Sequence, residues 1–190
     1  MDIKLFTFQD KQKVDALAPE MSHLLGKFFS LITLPIEFAD RVAMNSQTRQ
    51  HFDTHLYLLR EYFLTLQSQN DHTDPRAAVI VEAALVFATR RNDSLFLEEE
   101  SSKYFQHLLR ETNISMCWDD LPGALIWCLI IGARCSAPNR LRKWLLVQVT
   151  QIVWPLAVDK PDDVLKSFRL VLKGLDDIKQ WIWGFGGEEH

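Results

Sequence analysis

An uninterrupted apolar run near the middle of the chain constrains the fold more than any other feature. Residues 121–133 read Leu-Pro-Gly-Ala-Leu-Ile-Trp-Cys-Leu-Ile-Ile-Gly-Ala, and the indole of Trp127 is their only strongly hydrogen-bonding side chain. A helix without a polar face must be covered by other elements on all sides. The run is also too short to span a bilayer, which takes about 20 residues. The sequence therefore predicts a buried central helix at about 120–134.

Length and composition favour one helical domain over the whole of 1–190. The chain has 190 residues, of which 47% are hydrophobic and 24% charged, as in ordinary globular proteins. A net charge of −4 offers no broad cationic surface, so we expect no direct DNA binding by this chain alone. Three cysteines, no signal-peptide pattern and no membrane-length apolar segment together predict an intracellular, soluble protein.

Helical spacing of apolar residues predicts an all-α fold of seven or eight helices packed around the central one. Pro35 is expected to end its helix, with a short separate helix at 36–44, and Pro155 is expected to end or kink the helix that reaches it. The residues 1–13 and 184–190 are expected to be flexible ends. The predicted helices are 14–34, 46–67, 75–91, 98–111, 120–134, 138–154 and 161–182. Asp74 is expected to cap the helix that begins at Pro75. The apolar stripes predicted to face the core are Phe52, Leu56, Leu59, Phe63 and Leu66 in the helix 46–67, and Leu141, Leu145, Val149, Ile152 and Leu156 in the helix that begins at 138.

Three aspartate pairs resemble the carboxylates with which all-α terpenoid synthases hold magnesium. On a helix, a third carboxylate would be needed one turn further on. The positions concerned carry other residues, so N-capping is the favoured interpretation of two pairs. The pairs are Asp119-Asp120, Asp162-Asp163 and Asp176-Asp177, and the positions one turn on are Gly123, Lys166 and Gln180.

Other candidate ligands give no complete pattern. His51 and His55 could share one helical face, but no third ligand is apparent, and a solvated pair is favoured. The spacing of Cys117, Cys128 and Cys135 matches no zinc site, and free buried thiols are expected. We therefore predict no catalytic residues, no metal and no cofactor.

Glu82 is unusual because its neighbours along the chain are apolar. It could be buried with a partner and a shifted pKa. A narrow solvent-facing line through Glu82 and Thr89 is the favoured alternative.

Residues 118–136 resemble the regulatory domain of fungal-specific transcription factors, the group with a binuclear zinc cluster. The resemblance rests on Trp118, two acidic residues, Leu-Pro-Gly, an apolar run and the pair Gly132-Ala133, followed by a basic-aromatic segment at 140–145 and an amphipathic helix ending in tryptophan at 166–183. It covers about 74–183 in order. The six-cysteine cluster of that group has no counterpart here.

The resemblance implies a non-catalytic, nuclear regulatory domain that modulates transcriptional activation through a protein partner, self-association or a small effector. An apolar pocket for a small molecule is the alternative, and an enzyme without a recognisable motif ranks last.

The last predicted helix has an apolar arc of roughly 220°, too wide for one neighbouring helix to cover. Its central stripe and one flank should face the domain. The other flank is expected to meet either the chain's own N-terminal helices, which is the favoured alternative, or a partner. As the candidate partner or pocket surface it consists of Leu165, Leu172 and Trp183.

Overall fold

The computed structural model describes residues 17–39, 46–69, 74–89, 99–114, 117–136 and 140–159. Within these ranges all regular structure is α-helical, which confirms the predicted fold class for this part of the chain. Six helices are present: α1 (Pro19–Ala39), α2 (Ser46–Gln69), α3 (Pro75–Thr89), α4 (Glu99–Glu111), α5 (Pro122–Cys135) and α6 (Arg140–Asp159). The predicted helix 161–182, the expected flexible ends 1–13 and 184–190, and residues 40–44 of the predicted short helix 36–44 lie outside the described residues.

Two helices continue past a proline, so the prediction that Pro35 ends its helix was wrong, and Pro155 does not end its helix either. α1 continues past Pro35 to Ala39, and α6 continues past Pro155 to Asp159. Proline removes the one hydrogen bond that its own N–H would donate four residues back, and it clashes with that carbonyl. Each proline lies near the C-terminal end of its helix, where few bonds remain to be disturbed. The segment that begins at residue 36 is therefore part of α1 as far as Ala39, and not a separate helix.

The amphipathic pattern of α2 is confirmed by its burial. Of the apolar stripe in this helix, Phe52, Leu59 and Phe63 are buried, and Leu56 and Leu66 are partly buried against the core. Spacings of three and four residues place these side chains on one side of a helix.

Helix α3 has the largest number of main packing partners among the described helices. It packs against α1, α2, α4 and α5, whereas the main partners of α5 are α3 and α6. Every side chain from Val79 to Ala88 is buried, and α5 is buried equally thoroughly from Leu125 to Ile131. The central position predicted for the helix at 120–134 is thus not confirmed. Helices α3 and α5, which both lack a polar face, form the interior. Of these two, α3 also packs against α1 and α2.

Gly132 allows α4, α5 and α6 to approach one another closely. A Cβ atom built at this position would overlap the ring of Phe105 on α4 and lie 3.3 Å from Leu145 Cδ1 on α6. Phe105 and Leu145 are both fully buried. The absence of a side chain at residue 132 is therefore a packing requirement of this three-helix junction.

Candidate functional site

The flank predicted as a partner surface, Leu165, Leu172 and Trp183, lies outside the described residues, and so do the aspartate pairs at 162–163 and 176–177. The remaining predicted candidates can be located. They lie at three places: a charged cluster at the start of α3, the buried carboxyl of Glu82 with its partner on α2, and the exposed side of α2.

The charged cluster is organised by Arg76, in the first turn of α3. Its Nε lies 3.0 Å from both carboxylate oxygens of Asp74, and its Nη2 lies 2.6 Å from Asp74 Oδ2. Its Nη1 donates to the carbonyl oxygen of Cys117 at 3.0 Å and to Oδ1 of Asp120. One guanidinium thus joins the start of α3 to the turn before α5, and we call this set of contacts the Arg76 cluster.

Asp74 pairs with Arg76 and also caps α3, and these contacts determine the pKa of its carboxyl. Its Oδ1 also accepts the backbone N–H of Arg76 at 2.9 Å, which confirms the predicted N-cap before Pro75. Burial alone would raise the pKa of Asp74, but the hydrogen bonds and charge of Arg76 lower it below its ordinary value. Hydrogen bonding to Asp74 likewise raises the pKa of Arg76.

Asp120 does not cap α5, and the capping interpretation of the pair Asp119-Asp120 is wrong. The N-cap position is Leu121, and it makes no side-chain capping bond. Asp120 instead forms an ion pair with Arg76, 44 positions away along the sequence. A local spacing rule cannot anticipate a contact over such a distance.

Trp118 fixes the turn between α4 and α5 from inside. The residue is 2% exposed, and its indole N–H donates to Thr112 Oγ1 at 3.0 Å. The Thr112 hydroxyl in turn donates to the carbonyl of Leu109, also at 3.0 Å. Asn113, which follows, has a φ of 43°, in the left-handed region that Asn tolerates better than most residues. The tryptophan therefore holds both ends of the turn in place.

Glu82 is buried, so the favoured prediction of a solvent-facing line was wrong. The residue is 8% exposed, and its Oε2 accepts a hydrogen bond of 2.9 Å from Gln67 Nε2 on α2. Burial raises the pKa of the Glu82 carboxyl, and the bond from Gln67 opposes this only in part. The sequence alternative of a buried carboxyl with a partner is the one observed. The side chain of Thr89 lies outside the described residues.

The histidine pair is exposed on α2, as predicted. The rings of His51 and His55 lie edge to face with centroids 4.6 Å apart, and Nδ1 of His55 lies 3.3 Å from the carbonyl oxygen of His51. Across the described residues, no group of three or more potential metal ligands lies together. Of the cysteines, Cys128 is a buried free thiol with a raised pKa, whereas Cys117 is exposed, unlike the prediction. The side chain of Cys135 is outside the described residues.

Large apolar side chains are exposed on α2 and α6, and the sequence interpretation did not single them out. On α2, Tyr57 and Leu58 are 57% and 58% exposed. On α6, Leu146, Val147 and Trp154 are 47%, 51% and 73% exposed. The sequence of α6 indicated these residues, because Leu146, Val147 and Trp154 are apolar but do not belong to the stripe that was predicted to face the core. Exposed apolar groups this close together on one helix mark candidate contact surfaces.

No family model, curated protein or solved structure matches this chain significantly. None of the described helices is long and apolar enough to cross a membrane.

Proposed function

We propose that this chain is a non-catalytic regulatory and interaction domain of a transcriptional regulator, acting in the nucleus and similar to the regulatory domain of fungal-specific transcription factors. The observation that supports an interaction role best is the exposed pair Tyr57 and Leu58 on α2. These side chains lie on the solvent side of α2, whose opposite side carries the buried residues Phe52, Leu59 and Phe63. Aromatic and aliphatic side chains in such a position are common anchors of protein contacts.

The residues that carry the resemblance have packing roles in the described structure, so their contacts are not what supports the regulatory function. Trp118 and Leu121 are buried, Asp120 pairs with Arg76, and Gly132 lies against Phe105. A motif of this kind determines how α4, α5 and α6 are joined. The function proposed for such a domain then resides in its surface.

A reporter assay tests the proposal. The full chain is fused to an unrelated DNA-binding module, and transcription from a matching promoter is compared with that of the module alone. We expect the fusion to change transcription and the double variant Tyr57→Ser/Leu58→Ser to abolish the change. The matched control is Thr54→Ala/Glu61→Ala, which alters exposed polar residues of the same helix. A folded fusion that leaves transcription unchanged would refute the proposal.

The acidic chain should act without touching DNA itself. With a net charge of −4, it lacks the phosphate-neutralising surface on which DNA affinity depends. We expect no sequence-dependent binding of duplex DNA in an electrophoretic shift assay at physiological salt. Specific binding at sub-micromolar concentration would contradict this part of the proposal.

Binding of a small apolar effector is the second candidate function, and one observation favours it. Glu82 is a buried carboxyl among apolar neighbours on α3, and it is bonded by the exposed Gln67 at the edge of the interface with α2. Ligand sites commonly combine apolar walls with a few polar groups that orient the ligand. Native mass spectrometry of the purified chain tests this candidate, since a bound effector adds a mass that denaturation releases. A protein that shows only its own mass, including after incubation with a cell extract of small molecules, would argue against it.

A further inference from the structure

The exposed histidines of α2, His51 and His55, have the spacing of two metal ligands on one helix. They are four residues apart, so their side chains are neighbours on the helix surface. Both side chains are exposed, whereas Phe52 and Leu59 of the same helix are buried. Because the buried residues fix which side of α2 faces the core, the two imidazoles have a defined position outside it.

The separation of the two rings matches that of two imidazoles bound to one metal ion. An imidazole nitrogen bonds to Zn²⁺ at about 2.0–2.1 Å, which places the ring centre about 3.2 Å from the ion. Two rings at a right angle or a tetrahedral angle about the ion then have centres about 4.6–5.3 Å apart. The ring centroids of His51 and His55 are 4.6 Å apart. Binding of an ion therefore requires the rings to turn, but not to move apart.

A hydrogen bond of His55 selects the nitrogen that is available to a metal. Nδ1 of His55 lies 3.3 Å from the carbonyl oxygen of His51. A carbonyl oxygen can only accept, so Nδ1 carries the proton, and the neutral imidazole then has its lone pair on Nε2. Metal-binding histidines commonly donate their other ring N–H to a backbone carbonyl, which fixes the tautomer and the ring orientation. His55 already has this arrangement.

The other described histidines lack these properties. His107 and Glu111 on α4 are also four residues apart, but Nε2 of His107 lies 3.2 Å from Oε1 of Glu111. That contact engages the nitrogen that a metal would need. His23 on α1 packs against Tyr62, with ring centroids 5.7 Å apart, and it has no histidine one turn away. Within the described part of the chain, chelation by two imidazoles is thus a property of the pair on α2.

We propose that His51 and His55 bind one late first-row divalent metal ion of the class Ni²⁺, Cu²⁺ and Zn²⁺ through their imidazole nitrogens. Imidazole is a preferred ligand of these ions, whereas Mg²⁺ and Ca²⁺ prefer oxygen. Water fills the remaining positions of the ion, since no group of three or more potential ligands lies together in the described ranges.

The site lies on the side of α2 that also carries Leu58. Spacings of four and three residues place His51, His55 and Leu58 along one side of the helix, and Leu58 is 58% exposed. A protein that contacts Leu58 is therefore in a position to donate a further ligand to the ion. Metal binding itself does not rest on the proposed function, because it is measured on the chain alone.

Isothermal titration of the full chain with Ni²⁺ at pH 7 tests the proposal. Accessible thiols are first blocked with N-ethylmaleimide, since the exposed Cys117 could bind the ion as well. We expect binding of one ion per chain. The affinity should fall roughly 10–100-fold in His55→Gln and in His51→Gln, because the second imidazole acts at a high effective concentration once the first has bound.

Two controls distinguish chelation from the mere number of histidines. The variant His55→Gln/Tyr57→His keeps two histidines in α2 but places the second about 120° from His51 around the helix. It should bind Ni²⁺ no more tightly than His55→Gln. The variant His107→Gln removes an exposed histidine of α4 and should leave the affinity unchanged.

Three results would overturn the proposal. Absence of saturable binding by the wild-type chain would show that the pair does not chelate. Equal affinities of the wild type and His55→Gln/Tyr57→His would show that the ion binds single histidines. A loss of affinity in His107→Gln in place of His55→Gln would assign the ion to α4.

Thermal unfolding gives a second, independent readout. An ion that binds two residues one helical turn apart binds the folded chain more tightly than the unfolded chain, and so stabilises the fold. Ni²⁺ should raise the Tm of the wild type and of His107→Gln, but not that of His55→Gln. A rise of equal size in His55→Gln would contradict the site.

Discussion

Replacement of Arg76 by methionine tests whether the Arg76 cluster stabilises the fold. The guanidinium side chain is only 14% exposed, and it bonds to Asp74, Asp120 and the carbonyl of Cys117. Methionine keeps much of the side-chain volume but none of these hydrogen bonds. The variant leaves two carboxylates and one carbonyl without their donor.

The magnitude follows from how far water can replace the lost donor. A hydrogen bond to a charged group contributes roughly 1.5–3 kcal/mol when buried, and much less when it is exposed. Asp74 and Asp120 are 29% and 43% exposed, so water partly solvates both carboxylates in the variant. We therefore expect a loss of about 2 kcal/mol for the whole cluster. For a chain of this length, that corresponds to a Tm lower by about 4–8 °C.

Thermal unfolding followed by circular dichroism at pH 7 measures the loss, and Asp120→Asn is the matched control. The control removes only the more exposed partner, so its Tm should fall by less than half as much. In the double variant the two effects should not add, because both act on the same contact. A Tm for Arg76→Met within about 1 °C of wild type would refute the reasoning, since that change is at most about 0.5 kcal/mol on the same scale. Strict additivity would refute the direct coupling of Arg76 and Asp120.

The cluster also has a predicted pH dependence. Because the folded-state pKa of Asp74 is lowered, its contribution is present above the unfolded-state pKa of about 3.9 and is lost as pH falls through the folded-state value. The difference in Tm between wild type and Arg76→Met should therefore shrink as the pH is taken below about 4. A difference that stays constant or grows in acid would show that Asp74 is not the partner that matters.

Three further substitutions test the interior. Glu82→Gln should raise the Tm at pH 7 and leave it unchanged near pH 4. The reason is that the pKa of Glu82 is raised in the folded state, so its carboxyl becomes less stabilising as the pH rises above the unfolded-state pKa. An equal change of Tm at both pH values would contradict this. Gly132→Ala should cost about 1–3 kcal/mol through overlap with the Phe105 ring. Its control, Gly26→Ala, has open space around the new methyl group and should be neutral or stabilising by up to about 1 kcal/mol; similar losses for the two would disprove the close approach. Trp118→Phe removes the hydrogen bond to Thr112 and should lower stability by about 1–3 kcal/mol in urea unfolding, and an unchanged midpoint would show that the indole N–H contributes nothing.

The helices could be predicted from the sequence where apolar and polar residues alternate with a clear helical period. α2 shows this best, since its predicted stripe is the buried side and its start at Ser46 was also predicted. The N-cap at Asp74 followed from a rule that involves only three consecutive residues. The ends of α1 and α6 were not predictable in the same way, because the effect of a proline depends on how much helix remains beyond it.

Burial of Glu82 could not be derived from the sequence for a related physical reason. The hydrophobic period indicates which side of a helix faces the core only when another side is polar. α3 has apolar residues on all sides, so a single carboxyl suggests a solvent-facing line even when it is fully enclosed. What decides its environment is Gln67, 15 positions earlier and on another helix. The same limit applied to the central position of α5, since two helices had equally apolar sequences and only their packing distinguishes them.

The Arg76 cluster and the outer face of α6 differ in how they could have been found. Contacts between Arg76 and the turn at 117–120 connect residues 41 and 44 positions apart, and no local pattern encodes such a pair. The exposed face of α6 was present in the sequence as the residues left over from its core stripe. It was overlooked because Val147 and Trp154 are apolar, and apolar residues were expected to be inside. An exposed apolar residue is ordinary when isolated, whereas several on one helix mark a candidate contact surface.

The resemblance to fungal-specific regulatory domains has two parts, and they differ in what their residues do. Its Trp118-to-Gly132 part is used for packing: the tryptophan is buried, and the glycine is required where three helices meet. Such a pattern can be satisfied by any domain that joins three helices in this way, whatever the domain does. Its amphipathic part at 166–183 is different, because the apolar residues there exceed what one neighbour can cover. Among the described helices, the candidates for partner contact are the exposed apolar side chains of α2 and α6. The regulatory proposal then depends on Tyr57 and Leu58, and not on the motif that first suggested it.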